Sequence, residues 1–134
     1  DDSTNAGFSS APASDLYIAM DPDKDRPTAK KEMAAPDSLY HEVKKLIRIR
    51  QSHKALQSRG KITFVYAEKN TYPLAYIRED GDEKILVIIN AAAEAKTFAC
   101  DAEPKEAIYN FGAAAEAKNG KITVPAQSAG FYRI

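Results

Sequence analysis

The sequence predicts a mainly β protein, in which an antiparallel two-sheet β-sandwich follows one amphipathic helix and an irregular N-terminal segment. Three observations support this fold class. Apolar residues recur every three or four positions between Pro36 and Leu56, which is the period of a helix face. After Gly60 the period becomes two, in short runs rich in β-branched and aromatic residues. Before Pro36 the sequence has no clear period.

The predicted helix covers about residues 38–54. Its apolar face consists of Leu39, Val43, Leu46 and Ile47. Pro36 discourages an earlier start, and Asp37 or Ser38 can cap the first turn. The opposite face is basic, as expected for the solvated side of an amphipathic helix. Residues 1–35 are rich in proline and small or acidic residues and are predicted to be loop.

The β-rich part contains seven predicted strands, at residues 62–66, 74–78, 85–89, 96–100, 106–111, 121–124 and 130–134. Gly81 and the pair Asn119-Gly120 mark tight turns, because these residues tolerate positive φ. The run 85–89 is apolar at every position, which predicts a central strand covered on both faces. The alanine-rich stretches 91–96 and 113–118 are interpreted as solvent-facing connections between strands.

The overall composition excludes several classes of partner. A chain of 134 residues suits one domain with a real core. The 19 basic and 19 acidic residues give a net charge of zero, so neither nucleic acid nor an anionic membrane is predicted as a partner. No apolar run approaches the roughly 20 residues that a membrane helix requires. Cys100, the lone cysteine, is expected to be a small buried hydrophobe.

One stretch partly matches a calcium-binding loop. Asp21, Asp23 and Asp25 alternate, and Glu32 stands twelfth counting from Asp21, as in an EF-hand. Arg26 occupies the position where the EF-hand turn demands glycine. We therefore predict a solvated acidic loop without a metal ion.

No catalytic or cofactor-binding motif is evident. His41 and His53 lie more than three helical turns apart and cannot share a metal on one helix. Phosphate-binding, dinucleotide-binding and nucleophile-elbow motifs are missing from the sequence. The residues themselves therefore predict no cofactor and no catalytic residue.

The order of the pieces nevertheless resembles a known family. It begins with Asn5-Ala6-Gly7-Phe8 and Leu16-Tyr17-Ile18, continues with Asp37-Ser38-Leu39 and the KLIRIR core of residues 45–50, and closes with PAQSAGFYRI. This succession resembles the C-terminal part of the α-amylase superfamily (family 13) of glycoside hydrolases, in particular its oligo-1,6-glucosidase and α-glucosidase branch. In that branch a leucine is usual where this chain has Ile49.

The resemblance implies a domain division and a site. Residues 1–59 would be the last loop and last helix of a truncated (β/α)8 catalytic barrel, and residues 60–134 the C-terminal β-sandwich. Asn5, Gly7 and Phe8 would lie near the rim of the parent's active site. The family's catalytic carboxylates sit on earlier barrel strands, so this chain is expected not to be an enzyme. Because Asp1 rather than Met stands first, we expect a piece of a longer protein.

Three functions compete at this point. The first is a non-catalytic part of an enzyme acting on α-glucans or α-glucosides, whose sandwich stabilises the catalytic barrel. The second is a carbohydrate-binding module using exposed tyrosines, with Tyr72 the best candidate among Tyr66, Tyr72, Tyr76, Tyr109 and Tyr132. The third is a protein-interaction domain, in which the helix face would bind a partner or form a homo-oligomer.

Overall fold

A computed structural model describes residues 1–23 and 25–134 of the chain. These residues form two compact units, Asp1–Arg48 and Ile49–Ile134, and the boundary falls inside a helix. The predicted division at residues 59 and 60, between a barrel segment and a sandwich, stays a prediction. No helix in the described part of the chain combines the length and apolarity needed to cross a bilayer.

The first unit is mostly irregular, with 3-10 turns at Thr4–Gly7 and Ala13–Asp15 and a six-residue helix, α1, at Ala29–Ala34. Thr28 caps α1, because its Oγ1 accepts a hydrogen bond from the Lys31 amide at 3.2 Å. The prediction of an uninterrupted N-terminal loop is therefore wrong at α1. A helix of fewer than two turns is too short to display a helical period in the sequence.

The amphipathic helix α2 extends over Leu39–Ser52. The carbonyl of Ser38 accepts the Glu42 amide at 3.1 Å, which closes the first helical turn. The helix stops at His53, where φ and ψ become −121° and 115°. A 3-10 turn at Lys54–Leu56 follows, and we refer to it as the capping turn.

Eight strands of the second unit form two antiparallel sheets, which confirms the predicted sandwich class. The strands are β1 Lys61–Tyr66, β2 Leu74–Asp80, β3 Glu83–Asn90, β4 Lys96–Ala99, β5 Ala107–Phe111, β6 Glu116–Lys118, β7 Lys121–Val124 and β8 Ser128–Arg133. The five-stranded sheet has the order β1-β2-β3-β8-β5, and the three-stranded sheet has the order β4-β7-β6.

Both predicted tight turns join adjacent antiparallel strands. Gly81, between β2 and β3, has a φ of 58°, and Asn119 and Gly120, between β6 and β7, have φ values of 53° and 70°. The stretch 113–118 was predicted to be a connection, but its end forms β6 and pairs with β7. Alanine is under-represented in strands, so this short strand is specified by the turn that follows it rather than by its own composition.

Strand β3 is central and covered on both faces, as its unbroken apolar sequence predicts. Leu86 and Ile88 lie in the main core with residues of β4 and β7. Ile85 and Val87 pack on the opposite face against Ala55 of the capping turn, which is fully buried. Burial of each large β3 side chain contributes roughly 1.5–3 kcal/mol.

A buried amide joins the end of β3 to the chain beyond β7. Asn90 is 1% exposed, and its Nδ2 donates to the carbonyls of Glu94, Val124 and Pro125 at 2.9, 3.2 and 2.8 Å. Its Oδ1 accepts the Ala92 amide at 3.1 Å. Asn90, at the end of the five-stranded sheet, therefore satisfies backbone groups of β7 and of the two neighbouring loops, which an apolar residue could not do.

We expect Asn90→Ala to lower the free energy of unfolding by about 2–4 kcal/mol, because buried carbonyls lose their donor. Urea unfolding followed by circular dichroism measures this loss. Glu94→Ala is the matched control, since it removes an exposed carboxylate from the same loop and should change stability by less than about 0.5 kcal/mol. Equal effects of the two substitutions would contradict the assignment.

Candidate functional site

The predicted rim residues Asn5, Gly7 and Phe8 lie together in one sharp turn of the first unit. Asn5, Ala6 and Gly7 have φ angles of 51°, 54° and 81°. Residues in this left-handed region reverse the chain abruptly, and glycine and asparagine tolerate the region best. A shallow depression of about 530 Å³ beside the turn is lined by Ser3, Thr4, Gly7, Phe8, Ser9 and Ser10.

Asn5 holds the turn in shape. Its Nδ2 donates to the carbonyl of Ser9 at 2.9 Å and to the carbonyl of Ala11 at 2.8 Å. One side chain thus bonds both Ser9 and Ala11, on the far side of Phe8. Phe8 itself is 87% exposed. Contact of these residues with a substrate stays a prediction.

Other large apolar side chains of the first unit are also exposed. Tyr17 and Ile18 are exposed in the loop, and Leu39 at the start of α2 is 74% exposed. Val43 and Ile47 of the predicted apolar face are exposed as well, whereas Leu46 is half-buried. Leu39, Val43 and Ile47 follow one face of α2, and an exposed apolar face of this kind is common at interaction sites in soluble proteins.

The acidic loop binds its own backbone. The Asp21 carboxylate accepts the Asp23 amide at 2.9 Å, and the Asp23 carboxylate accepts the Asp25 amide at 2.8 Å. Arg26 donates to the carbonyls of Asp21 and Asp23 at 3.2 and 2.9 Å. Among residues 1–23 and 25–134, no group of three or more His, Cys, Asp or Glu side chains is placed to hold a metal ion.

The predicted sugar-stacking tyrosines differ in exposure, and Tyr66 and Tyr76 are half-buried. Tyr109 and Tyr132 are buried, so the prediction that they could serve as exposed platforms is wrong. The Tyr132 hydroxyl donates to Asn110 Oδ1 at 2.7 Å and accepts the Ala115 amide at 3.0 Å, which are structural bonds. Tyr72, in the loop between β1 and β2, is exposed.

Cys100 lies in the main core, as expected from its alternating position. Burial raises the pKa of its thiol, which keeps the sulfur protonated at neutral pH. It therefore behaves as a small apolar side chain.

The sequence reasoning missed a charged cluster around Glu83. Glu83 Oε1 lies 2.6 Å from His53 Nδ1 and 3.9 Å from an Arg133 nitrogen, while Oε2 accepts the Ala55 amide at 2.9 Å. Burial by itself raises the pKa of Glu83, but the Ala55 amide, His53 and Arg133 outweigh it and hold this pKa below its ordinary value. The partners stand 28 or more residues from Glu83, so no local motif reveals the cluster.

The sequence is similar to known proteins over most of the chain. A glucan 1,6-alpha-glucosidase of Streptococcus pneumoniae serotype 4 is 28% identical over 125 residues, which are 93% of this chain and 22% of that protein. An oligo-1,6-glucosidase of Parageobacillus thermoglucosidasius is 32% identical over 98 residues, or 73% of this chain and 16% of that protein. No protein-family profile matches the sequence.

The fold has similar solved structures. The trehalulose synthase MutB from Pseudomonas mesoacidophila MX-45 is 28% identical with a TM-score of 0.78, over 99% of this chain and 24% of that one. The F164L mutant of MutB, from crystals soaked with trehalulose, gives a TM-score of 0.79 at the same identity. The chain thus spans a quarter or less of the length of these relatives.

Fold and sequence together define the class: the chain is related to glycoside hydrolases. Its relatives are family 13 enzymes of the α-amylase superfamily, and the predicted resemblance to their C-terminal part is confirmed. The short coverage is consistent with a fragment of an α-glucosidase-like enzyme.

We expect Asn5→Asp to loosen the turn around Phe8. Aspartate keeps the size of the side chain and tolerates positive φ, but its ionised carboxylate cannot donate to the carbonyls of Ser9 and Ala11. Backbone order parameters of residues 6–11 from ¹⁵N relaxation should fall below about 0.6. Phe8→Leu is the control, because it keeps both hydrogen bonds and should leave the order parameters unchanged. An ordered loop in Asn5→Asp would show that the turn does not depend on Asn5.

Proposed function

We propose that this chain is a non-catalytic, C-terminal portion of an α-amylase-like glycoside hydrolase acting on α-glucans or α-glucosides. The observation that carries the proposal is coverage: one relative matches 93% of the chain with only 22% of its own length. In this proposal residues 1–59 are the last loop and last helix of the barrel, and residues 60–134 are the sandwich.

The chemistry of glycoside cleavage supports a non-catalytic role. Retaining and inverting enzymes both need a pair of carboxyl groups flanking the scissile bond. By the family resemblance those groups lie on earlier barrel strands, and no acidic residue here matches their motifs. Asn5, Gly7 and Phe8 would contribute only to the rim of the parent's active site.

The proposed role of the sandwich and of α2 is to stabilise the catalytic barrel. Leu39, Val43 and Ile47 expose apolar surface that burial against a barrel would remove from water. Full burial of one such side chain contributes roughly 1.5–3 kcal/mol, so three could supply several kcal/mol to the parent.

A chimera tests this role. This chain would replace the segment that it matches in the oligo-1,6-glucosidase of P. thermoglucosidasius, and thermal melting would be compared with and without Val43→Glu and Ile47→Glu. We expect the double substitution to lower the melting temperature of the chimera by several degrees, because two charges enter an apolar interface. The same substitutions in this chain alone should change its melting by no more than about a degree, since both positions are exposed.

The matched control is Lys44→Gln, a conservative change beside this face. The chimera that carries Lys44→Gln should have the same melting temperature as the unsubstituted chimera. The stabilising role is wrong if the double substitution leaves the melting temperature of the chimera unchanged. It is also wrong if the chimera does not fold while this chain does.

A carbohydrate-binding module remains the alternative, favoured by the 43% exposure of Tyr72. We expect a titration with isomaltooligosaccharides and maltooligosaccharides, followed by heteronuclear NMR, to leave the spectrum unchanged at millimolar sugar. Shifts centred on Tyr72 that disappear in Tyr72→Ala, but persist in the buried-core control Phe98→Leu, would establish the alternative instead. A helix-mediated interaction or homo-oligomer through Leu39, Val43, Leu46 and Ile47 also stays a prediction.

A further inference from the structure

Glu83 uses both carboxylate oxygens to hold one piece of backbone. At the first residue of β3, its Oε1 faces His53 Nδ1 at 2.6 Å and its Oε2 accepts the Ala55 amide at 2.9 Å. The His53 and Glu83 side chains are only 13% and 19% exposed. The carboxylate thus accepts from two donors, the His53 ring and the Ala55 amide, which lie on either side of Lys54 in the chain.

The segment held in this way is the capping turn, which covers the outer face of the central strand. Ala55 is fully buried against Ile85 and Val87. Gly60 lies so close beneath that a Cβ on it would sit 2.2 Å from the Ala55 carbonyl oxygen. The backbone can approach the turn this closely only because residue 60 is glycine.

We propose that Glu83 and His53 form an acid-released latch, which fastens the capping turn to the five-stranded sheet at neutral pH and frees it when Glu83 is protonated. An ionised carboxylate offers acceptor sites on both oxygens, one for each donor. Protonation turns one oxygen into a hydroxyl donor that faces the His53 or Ala55 donor, so one of the two bonds is lost.

The charged groups around Glu83 determine whether its ionised form is favoured. Arg133 of β8 lies 3.9 Å from Glu83 and is itself paired with Glu106 at 3.1 Å, while Lys84 of β3 pairs with Glu79 of β2 at 3.2 Å. On the turn itself Lys54 is cationic, and Asp80 stands opposite Glu83 in the strand register. The Ala55 amide, His53 and Arg133 favour the charged form of Glu83, and together they outweigh its burial, which opposes that form.

The sign of the pH dependence follows from the lowered pKa of Glu83. A carboxyl group whose pKa is lower in the closed state stabilises that state above its pKa in the open state. This stabilisation is lost as the pH falls from the ordinary carboxyl value through the lowered one. The latch therefore opens in the acidic range below about pH 4.5, the ordinary value for this group.

Amide hydrogen exchange at Ala55 measures the latch directly in the full 134-residue chain. Protection factors would be measured between pH 6 and pH 3 and corrected for intrinsic exchange. In the unchanged chain, protection of Ala55 should fall about tenfold for each unit by which the closed state lowers the pKa of Glu83. In Glu83→Gln, which has no carboxyl group at this position, protection should be lower at pH 6 and should not show the fall below about pH 4.5.

Two comparisons separate the latch from general acid unfolding. The amides of Leu86 and Val87, in the middle of β3, should keep their protection at the pH where Ala55 loses it. Glu79→Gln removes a neighbouring, more exposed ion pair and should leave the Ala55 profile unchanged. The proposal is overturned if Ala55 and β3 lose protection together, if Glu83→Gln retains the pH dependence, or if Glu79→Gln abolishes it.

Discussion

The burial of β3 on both faces is the constraint on which the rest of the second unit depends. A strand with apolar side chains on each side requires two covering layers, and the chain supplies them from different places. One layer is the three-stranded sheet, through the main core, and the other is the capping turn, through Ala55. The capping turn is a single turn of 3-10 helix, and Glu83 bonds it to β3 through its contacts with His53 and Ala55.

Two polar residues at opposite ends of β3, Glu83 and Asn90, fix the positions of the segments that pack against this strand. Apolar packing is non-directional, so it can bring a segment onto β3 without fixing its register. Asn90 fixes the exit of β3 relative to β7, and Glu83 fixes the capping turn at its entry. Each side chain is buried or nearly so and bonds backbone groups distant in sequence, so its removal leaves unsatisfied polar groups rather than a simple gap.

The sequence predicts those parts of the fold that depend on local patterns. The period of α2, the unbroken apolar run of β3 and the turns at Gly81 and Asn119-Gly120 are local, and the structure has them where the sequence indicates. α1 and β6 are too short for a period, and they are specified by the Thr28 cap and by a hairpin turn. Asn90 and the Glu83 cluster join residues about 30 positions apart, which no short motif can encode. Of the candidate site, the sequence brings Asn5, Gly7 and Phe8 together, but it does not distinguish buried Tyr132 from exposed Tyr72.

The two units differ in how they bury apolar side chains: every buried apolar side chain of the described residues lies in the second unit. In the second unit Ile85, Leu86, Val87 and Ile88 of β3 form a buried core and Asn90 is hydrogen-bonded, although Ile62, Phe64 and Phe111 stay exposed. In the first unit Phe8, Tyr17, Ile18 and Leu39 are exposed, although its loop at Asn5 is firmly hydrogen-bonded. The hydrogen bonds of Asn5 thus hold a loop whose phenylalanine is exposed, and exposed apolar side chains are common at interaction sites. Burial of these side chains against the proposed catalytic barrel would remove their apolar surface from water.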